Sequence, residues 1–149
     1  MPSDTIIEII EARTKDYEHL QSLFLRERQN TFFWLDASEF LLEDFEKHTQ
    51  GEFILVALLD DIPIGFISIW LPNNFIHHIY IDQKYQSKGI GTALLKAAIK
   101  KTNFPITLKC LEQNHKAVDF YNRKGFVQKE KGFSENGDYI LFALLENIR

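Results

Sequence analysis

The chain has 149 residues, of which 45% are hydrophobic and 13% aromatic, enough to build one packed core. Its formal net charge is −4, and a negative field repels phosphate backbones, so we expect no nucleic-acid partner. The longest apolar runs, residues 53–59 and 140–145, are too short to cross a bilayer, so we expect no membrane association. No linker-like or repetitive stretch interrupts the chain, and we predict one domain over residues 1–149.

Cysteine usage and the first residues bear on the location of the protein. The single cysteine, Cys110, excludes an internal disulfide. Residues 1–4 lack the basic and apolar segments of a signal peptide. Both observations fit a reducing compartment, and we predict a cytoplasmic protein.

The N-terminal third of the chain predicts one strand and two helices. A short strand is expected over residues 5–11, and a helix over about residues 15–28, where apolar residues recur at helical spacing. An aromatic run at residues 32–34 leads to a second helix, for which Asp36 or Ser38 is the expected N-cap. The apolar residues of that second helix are Phe40, Leu41, Leu42 and Phe45.

The rest of the chain predicts a sheet whose strands are interrupted by two more helices. The elements are, in order, strands at 53–59, 62–70 and 75–81, a helix at about 88–101, a strand at 106–111, a helix between Asn114 and Gly125, and two strands at 126–133 and 139–145. Short turns between the first three strands favour an antiparallel meander, whereas the strand–helix–strand unit should be parallel. The order predicts an α/β fold with a mixed, mostly antiparallel central sheet and helices on both faces.

A glycine-rich segment, Gln86-Ser87-Lys88-Gly89-Ile90-Gly91-Thr92, lies between a predicted strand and a predicted helix. Glycine lets the backbone approach a ligand, and the free N–H groups at a helix N-terminus favour phosphate. The dinucleotide fingerprint requires a third glycine where Leu94 stands, and the P-loop requires Gly-Lys-Ser/Thr, which is absent. The segment is therefore either a tight turn or a phosphate site of another kind.

Two motifs together resemble those of one enzyme superfamily. The spacing Gln86-x-x-Gly89-x-Gly91 after an apolar strand resembles the acyl-CoA pyrophosphate loop of the GNAT superfamily of N-acetyltransferases. The segment from Asn114 to Phe126 resembles the superfamily's second motif, Asn-x-x-Ala-x-x-Phe-Tyr-x-x-x-Gly-Phe. Each motif alone has an ordinary structural explanation, so the inference depends on finding both in the expected element order. The resemblance covers residues 53–145 well. For the first two helices, it extends only to the fact that two helices are predicted there.

The resemblance implies a GNAT-like acyl-CoA N-acyltransferase fold, with acetyl-CoA as cosubstrate and no metal ion. In the family, the backbone of the fourth strand pairs with the pantetheine arm of CoA, a role that falls here to Ile79 and Ile81. Backbone N–H groups would hold the pyrophosphate at Gln86, Ser87, Lys88, Gly89, Ile90, Gly91 and Thr92. In the second motif, Asn114 and Lys124 would contact CoA, Ala117 would leave it room, and Tyr121 would serve as the acid for the leaving thiolate.

The general base that takes the proton of the amine is left open among three residues. The predicted strand at 75–81 has no carboxylate but carries His77 and His78, and imidazole has a suitable pKa. Adjacent strand residues point to opposite faces, so one histidine at most should face the acceptor, and no shared metal ion is expected. Glu112, just beyond the next strand, is the third candidate and would act through water. Cys110 has no readable histidine partner and is interpreted as a buried thiol.

The predicted function is transfer of an acetyl group from acetyl-CoA to a primary amine by direct attack in a ternary complex. The alternative is a non-catalytic acyl-CoA-binding sensor or interaction module, which Tyr121 disfavours and the missing strand carboxylate favours. The acceptor is expected to be a small-molecule or peptide amine, and the protein a monomer or homodimer. In the family, the acceptor site is shaped by a region that corresponds here to Phe32, Phe33, Trp34, Asp36 and Glu39. A hydrophobic staple with a helix cap explains this group at least as well.

Overall fold

The computed structural model describes residues 6–148, so Thr5, the start of the first predicted strand, lies outside the described residues. The elements follow the predicted order. They are β1 (Ile7–Glu11), α1 (Tyr17–Thr31), α2 (Asp44–His48), β2 (Phe53–Leu59), β3 (Ile62–Trp70), β4 (Phe75–Ile81), α3 (Ile90–Ile99), β5 (Ile106–Leu111), α4 (His115–Arg123), β6 (Val127–Ser134) and β7 (Gly137–Leu144).

The strands form one seven-stranded sheet in the order β1-β2-β3-β4-β5-β7-β6. Neighbouring strands are antiparallel except β4 and β5, which α3 connects as the predicted parallel unit. This mixed, mostly antiparallel sheet confirms the predicted fold class. Between residues 6 and 148, no helix has both the length and the hydropathy needed to cross a bilayer.

Both faces of the sheet are covered, which is why β2 and β3 are buried along most of their length. On one face, residues of α3 and α4 pack into a cluster that includes Leu55, Ile67 and Phe142. On the other face, α1 and α2 pack over a second cluster that includes Val56 and Phe66. Leu55 and Val56 enter different clusters because successive strand residues point to opposite faces. The helices therefore lie on both faces, as predicted.

The second helix is shorter than the sequence predicts. Helix α2 begins only at Asp44, so Phe40, Leu41 and Leu42 precede it in irregular backbone. The Asp44 carboxylate accepts hydrogen bonds from the Leu41 N–H at 3.0 Å and from the Arg28 side chain at 2.9 Å. Because Arg28 belongs to α1, the start of α2 is fixed by a contact with a distant part of the chain. The apolar spacing alone therefore predicted a start that is too early.

Other helix ends also differ from the prediction. Asp36 caps the short 3₁₀ turn that follows it instead of α2, by accepting from the Ser38 N–H at 3.0 Å. Helix α1 continues to Thr31, beyond its predicted end. Helix α3 begins at Ile90 because Gly89, with φ of 82°, has left-handed backbone and belongs to the preceding loop.

Candidate active site

Strands β4 and β5 meet only at their beginnings. Within the described residues they share two backbone pairs, at Phe75 and Ile76 of β4. Beyond Ile76, β4 has no strand partner on the β5 side among residues 6–148, so backbone N–H and C=O groups along that edge, apart from the Ile81 carbonyl that accepts from Gln86, are available to a ligand. Ile79 and Ile81, which the sequence predicts to bind CoA, lie on this part of β4, here called the open edge.

The loop between β4 and α3 has a geometry that suits an anion. Ser87 and Gly89 both have left-handed backbone, with φ of 64° and 82°. The first hydrogen bond of α3 runs from the Ala93 N–H to the Gly89 carbonyl at 3.0 Å. The N–H groups of residues 90–92 come before this bond and have no partner within the helix. With the positive end of the helix dipole, they form a place for a phosphate group.

A buried carboxylate that the sequence analysis missed supports this loop. Glu27 of α1 is 1% exposed and accepts hydrogen bonds from the Gln83 N–H at 3.2 Å and the Gln86 side-chain amide at 3.4 Å. Burial raises the pKa of Glu27 above its usual value. The Gln86 amide also donates to the Ile81 carbonyl at 3.1 Å, and its backbone N–H donates to the Gln83 carbonyl at 3.5 Å. Gln86 therefore stabilises the loop through its own hydrogen bonds. The N–H groups available to a phosphate are those of the residues that follow Gln86.

Helix α4 brings a cation towards the phosphate loop. Asn114 caps the helix by accepting from the Ala117 N–H at 3.4 Å. The Phe120 ring lies beside Gly91, where an added Cβ would be 3.5 Å from it. The Lys124 ammonium lies 5.6 Å from the centre of the same ring. Phe120 thus links Gly91 to Lys124, which places the ammonium near the N-terminus of α3.

Tyr121 lies in the apolar cluster that also contains the side chains of Ile79, Ile81 and Ala117. It is 6% exposed, and its ring packs against that of Phe142 with 5.7 Å between centroids. Burial raises the pKa of Tyr121 well above its usual value, so the phenol keeps its proton at neutral pH.

Cys110 of β5 is buried in the same cluster, as the sequence predicts. Burial raises the pKa of its thiol to about 12. The sulfur lies 3.6 Å from the Leu111 carbonyl, to which it can donate. A buried protonated thiol is a poor nucleophile, so the geometry gives no support to a covalent acyl-enzyme.

His77 and His78 lie on the same side of β4, and the expected alternation between faces is wrong here. Ser68 of β3 pairs with His78, and Ile69 pairs with Ile76, so His77 is the extra residue of a β-bulge. The centroids of the two imidazole rings are 3.8 Å apart. The bulge therefore brings together two side chains that a regular strand would separate.

The two histidines have different surroundings. His77 Nδ1 is 2.7 Å from Oε2 of Glu52, a residue that the sequence analysis missed, and the His77 side chain is 41% exposed. His78 Nδ1 is 3.0 Å from Ser68 Oγ, and its ring packs edge-on against Phe24 with 4.8 Å between centroids. Burial lowers the pKa of His78 well below its usual value, so this imidazole is neutral at physiological pH. Of the two, His77 is the more exposed to solvent.

The third candidate base lies apart from these histidines. Glu112 Oε1 is 2.9 Å from the Lys131 ammonium on β6, and its side chain is partly exposed. Its backbone N–H donates to the Asp138 carbonyl at 2.9 Å. Glu112 is thus turned towards the β6–β7 hairpin and already has a cationic partner.

The aromatic segment before α2 lies against the β6–β7 turn. The Trp34 indole N–H donates to the Asn136 carbonyl at 3.1 Å. Phe33 packs edge-on against Trp34 with 5.4 Å between centroids and is 79% exposed. Phe133 of β6 is 87% exposed. Two segments distant in the sequence therefore meet, with large aromatic side chains exposed on both.

Residues 14–126 match a family model described as the Acetyltransferase (GNAT) family. The peptidyl-lysine N-acetyltransferase YjaB of Salmonella typhimurium is 31% identical over 140 residues, which are 89% of this chain and 90% of that protein. An uncharacterized N-acetyltransferase of Methanocaldococcus jannaschii is 35% identical over 81 residues, 46% of this chain. This match spans only 36% of the length of the archaeal protein.

Solved structures of acetyltransferases have the same fold. The solution structure of apo YjaB from Escherichia coli has a TM-score of 0.77 at 24% identity, covering 93% of this chain and 97% of that chain. PaiA N-acetyltransferase from Thermoplasma acidophilum, solved in complex with coenzyme A, has a TM-score of 0.74 at 23% identity. That match covers 92% of this chain and 98% of PaiA. At such identities the likeness establishes the fold.

Proposed function

This chain belongs to the GNAT family of acetyltransferases, and we propose that it acetylates the side-chain amine of lysine in a peptide. It is an acetyl-CoA-dependent N-acetyltransferase, as predicted, and this reading is favoured over a non-catalytic acyl-CoA-binding module. The proposal of a lysine acceptor rests on the YjaB relatives, which are named peptidyl-lysine N-acetyltransferases. The net charge of −4 also suits a cationic peptide. A cytoplasmic location, also part of the proposal, fits the single buried thiol of Cys110.

In the proposed complex, acetyl-CoA lies along the open edge of β4. Backbone groups of Ile79 and Ile81 pair with the pantetheine arm, because this edge has no other strand partner. The pyrophosphate lies on the N–H groups that follow Gln86, at residues 87–92, where α3 begins. From α4, Ala117 leaves room for the chain, Lys124 supplies a positive charge near the phosphates, and Asn114 fixes the start of the helix.

The proposed reaction is a direct transfer. The lysine nitrogen attacks the thioester carbonyl, a C–N bond forms, and the C–S bond breaks to release a thiolate. The Ile79 N–H donates to the carbonyl oxygen as it gains negative charge. The Tyr121 hydroxyl, which burial keeps protonated, donates to the departing sulfur. The attacking nitrogen gives up a proton to a base.

We assign the role of base to His77, with Glu52 as the residue that positions it. Glu52 holds Nδ1 of His77 at 2.7 Å, which leaves Nε2 as the proton acceptor on a side chain that is 41% exposed. His78 is neutral but less exposed than His77, with its ring against Phe24 and its Nδ1 bonded to Ser68. Glu112 is paired with Lys131. Of the three candidates, His77 is the most exposed to solvent, and its Nε2 is free to take a proton.

The His77→Asn variant should have a kcat about 10²-fold lower than that of the wild type, with an unchanged KM for acetyl-CoA, because this is the usual contribution of a positioned general base. Glu52→Gln should lower kcat by a smaller factor, since the amide still holds the ring but bears no charge. Glu112→Gln is the matched control and should keep full turnover. Steady-state kinetics with a lysine peptide measure these values, and a normal kcat in His77→Asn would disprove the assignment.

The test of the proposed function is acetyl transfer to defined peptides, followed by mass spectrometry and by release of free CoA thiol. A lysine peptide with a blocked N-terminus should gain one acetyl group for each thiol released. The same peptide with arginine in place of lysine should gain none, because the guanidinium remains charged and is a poor nucleophile. A lysine-free peptide with an open N-terminus serves as the competing acceptor. Acetylation of that peptide alone, or of small amines alone, would rule out peptide lysine as the acceptor.

A further inference from the structure

We propose that Glu52, His77 and His78 form a binding site for a divalent transition-metal ion of the zinc type. The site goes beyond acetyl transfer and does not depend on it. One potential ligand atom from each of the three side chains lies within 4.8 Å of the other two. The β-bulge creates this arrangement by bringing the two imidazole rings to a centroid distance of 3.8 Å.

The distances are close to those that a metal ion requires. Zinc binds imidazole nitrogen and carboxylate oxygen at about 2.0–2.2 Å, so two ligand atoms around a tetrahedral ion are about 3.3 Å apart. His77 Nδ1 and Glu52 Oε2 are 2.7 Å apart, with a proton between them. An ion would take the place of that proton, with the two atoms moving apart by about 0.6 Å. The third ligand atom, on His78, lies within 4.8 Å of these two and would reach the ion by a small displacement of the side chains.

A second, independent observation concerns Glu52 itself. Its side chain is only 6% exposed, and its Oε1 is buried without a hydrogen-bond partner among residues 6–148. A buried carboxylate oxygen normally has a partner, because leaving it without one loses the free energy of its hydration. A cation beside Glu52 would supply that partner. The unpaired oxygen therefore points to a positively charged ligand at this place.

The donor set favours a transition metal over magnesium or calcium. Two imidazole nitrogens and one carboxylate are a common set of three protein ligands for zinc, with a fourth position left for water. Ser68 Oγ lies 3.0 Å from His78 Nδ1, which orients the ring and leaves Nε2 as the ligand atom. The exposure of His77 gives the ion a path from solvent. An ion bound to His77 Nδ1 excludes the hydrogen bond to Glu52, so the metal-bound state and the state proposed for proton transfer are distinct.

The experiment is a zinc titration of the full chain, first stripped of metal with a chelator and then desalted, in competition with a chromophoric zinc indicator and without acetyl-CoA. The wild type should bind one equivalent. Glu52→Gln and His77→Asn should each weaken binding at least tenfold, because each removes one of three protein ligands. His19→Asn, which alters an exposed histidine of α1 outside the site, is the control and should bind like the wild type. Cobalt in place of zinc should give the visible absorption of a tetrahedral nitrogen and oxygen site in the wild type and in His19→Asn, but not in Glu52→Gln or His77→Asn.

The proposal is overturned if the wild type fails to bind one equivalent of zinc. It is equally overturned if Glu52→Gln and His77→Asn both bind zinc as tightly as the wild type, which would mean that surface groups hold the ion. Circular dichroism of the metal-free variants shows whether they are folded. His77 is partly exposed, so His77→Asn remains informative even if the buried change at Glu52 disturbs the structure. Because acetyl transfer is not measured, failure of the metal site and failure of the proposed acceptor are separate results.

Discussion

Replacing Tyr121 with phenylalanine should lower kcat about 10²-fold and leave CoA affinity and the melting temperature almost unchanged. Tyr121 lies one helical turn after Ala117, in the apolar cluster next to the open edge of β4. Its ring packs against Phe126 and Phe142 at centroid distances of 5.3 and 5.7 Å, contacts that phenylalanine retains. The variant removes only the hydroxyl, so the loss of turnover reports its donation to the departing sulfur.

The control for this variant is Tyr139→Phe, which removes a phenol hydroxyl from β7. The ring of Tyr139 lies 5.0 Å from the Lys109 ammonium, away from the cluster around Tyr121. This variant should keep full turnover. The loss in Tyr121→Phe should also shrink with an activated aryl acetate, whose leaving group needs no proton. Full turnover of Tyr121→Phe with acetyl-CoA would identify Tyr121 as a packing residue, and loss of CoA affinity would give its hydroxyl a structural role.

The parts of the site that could be predicted from sequence are those specified by local patterns. The loop from Gln86 to Gly91 was found because its glycines stand at a fixed spacing between a strand pattern and a helix pattern. The helix behind Asn114 was found because a capping residue and a terminal glycine mark its ends, and both are present in the structure. Such features depend on the backbone conformation of a few consecutive residues. The local sequence specifies that conformation directly.

The features that escaped prediction depend on contacts between distant segments. In a regular strand, His77 and His78 would point to opposite faces of the sheet. Nothing in the local sequence indicates the β-bulge that the pairing of β3 with β4 introduces. Glu27 and Glu52 are single carboxylates in segments that look exposed, and only the folded chain buries them beside Gln83 and His77. The start of α2 was misplaced for the same reason. The catalytic geometry proposed above therefore depends on tertiary structure more than the cofactor loop does.

Replacing Gly91 with valine should weaken CoA binding by about 10- to 100-fold, the effect of losing one charge-assisted hydrogen bond of about 1.5–3 kcal/mol. Gly91 has ordinary helical backbone in the first turn of α3, so valine adopts it without strain. An added Cβ would be in normal contact with Phe120 at 3.5 Å, so the folded protein accepts it. The valine methyl groups would then occupy the space through which a phosphate reaches the free N–H groups. Gly89 is a less informative position, because its φ of 82° makes any side chain strain the fold.

The matched control is Lys96→Val, which places the same β-branched residue at an exposed position of the same helix. Without CoA, both variants should melt close to the wild-type temperature, because valine is a slightly poorer helix former than lysine and a better one than glycine. With saturating CoA, the wild type and Lys96→Val should melt at a higher temperature, since a ligand that binds only the native state stabilises it. Gly91→Val should show a much smaller increase, and calorimetry should give the weaker dissociation constant directly. If a folded Gly91→Val protein binds CoA as tightly as the wild type, the segment is only a tight turn, and the pyrophosphate must lie elsewhere.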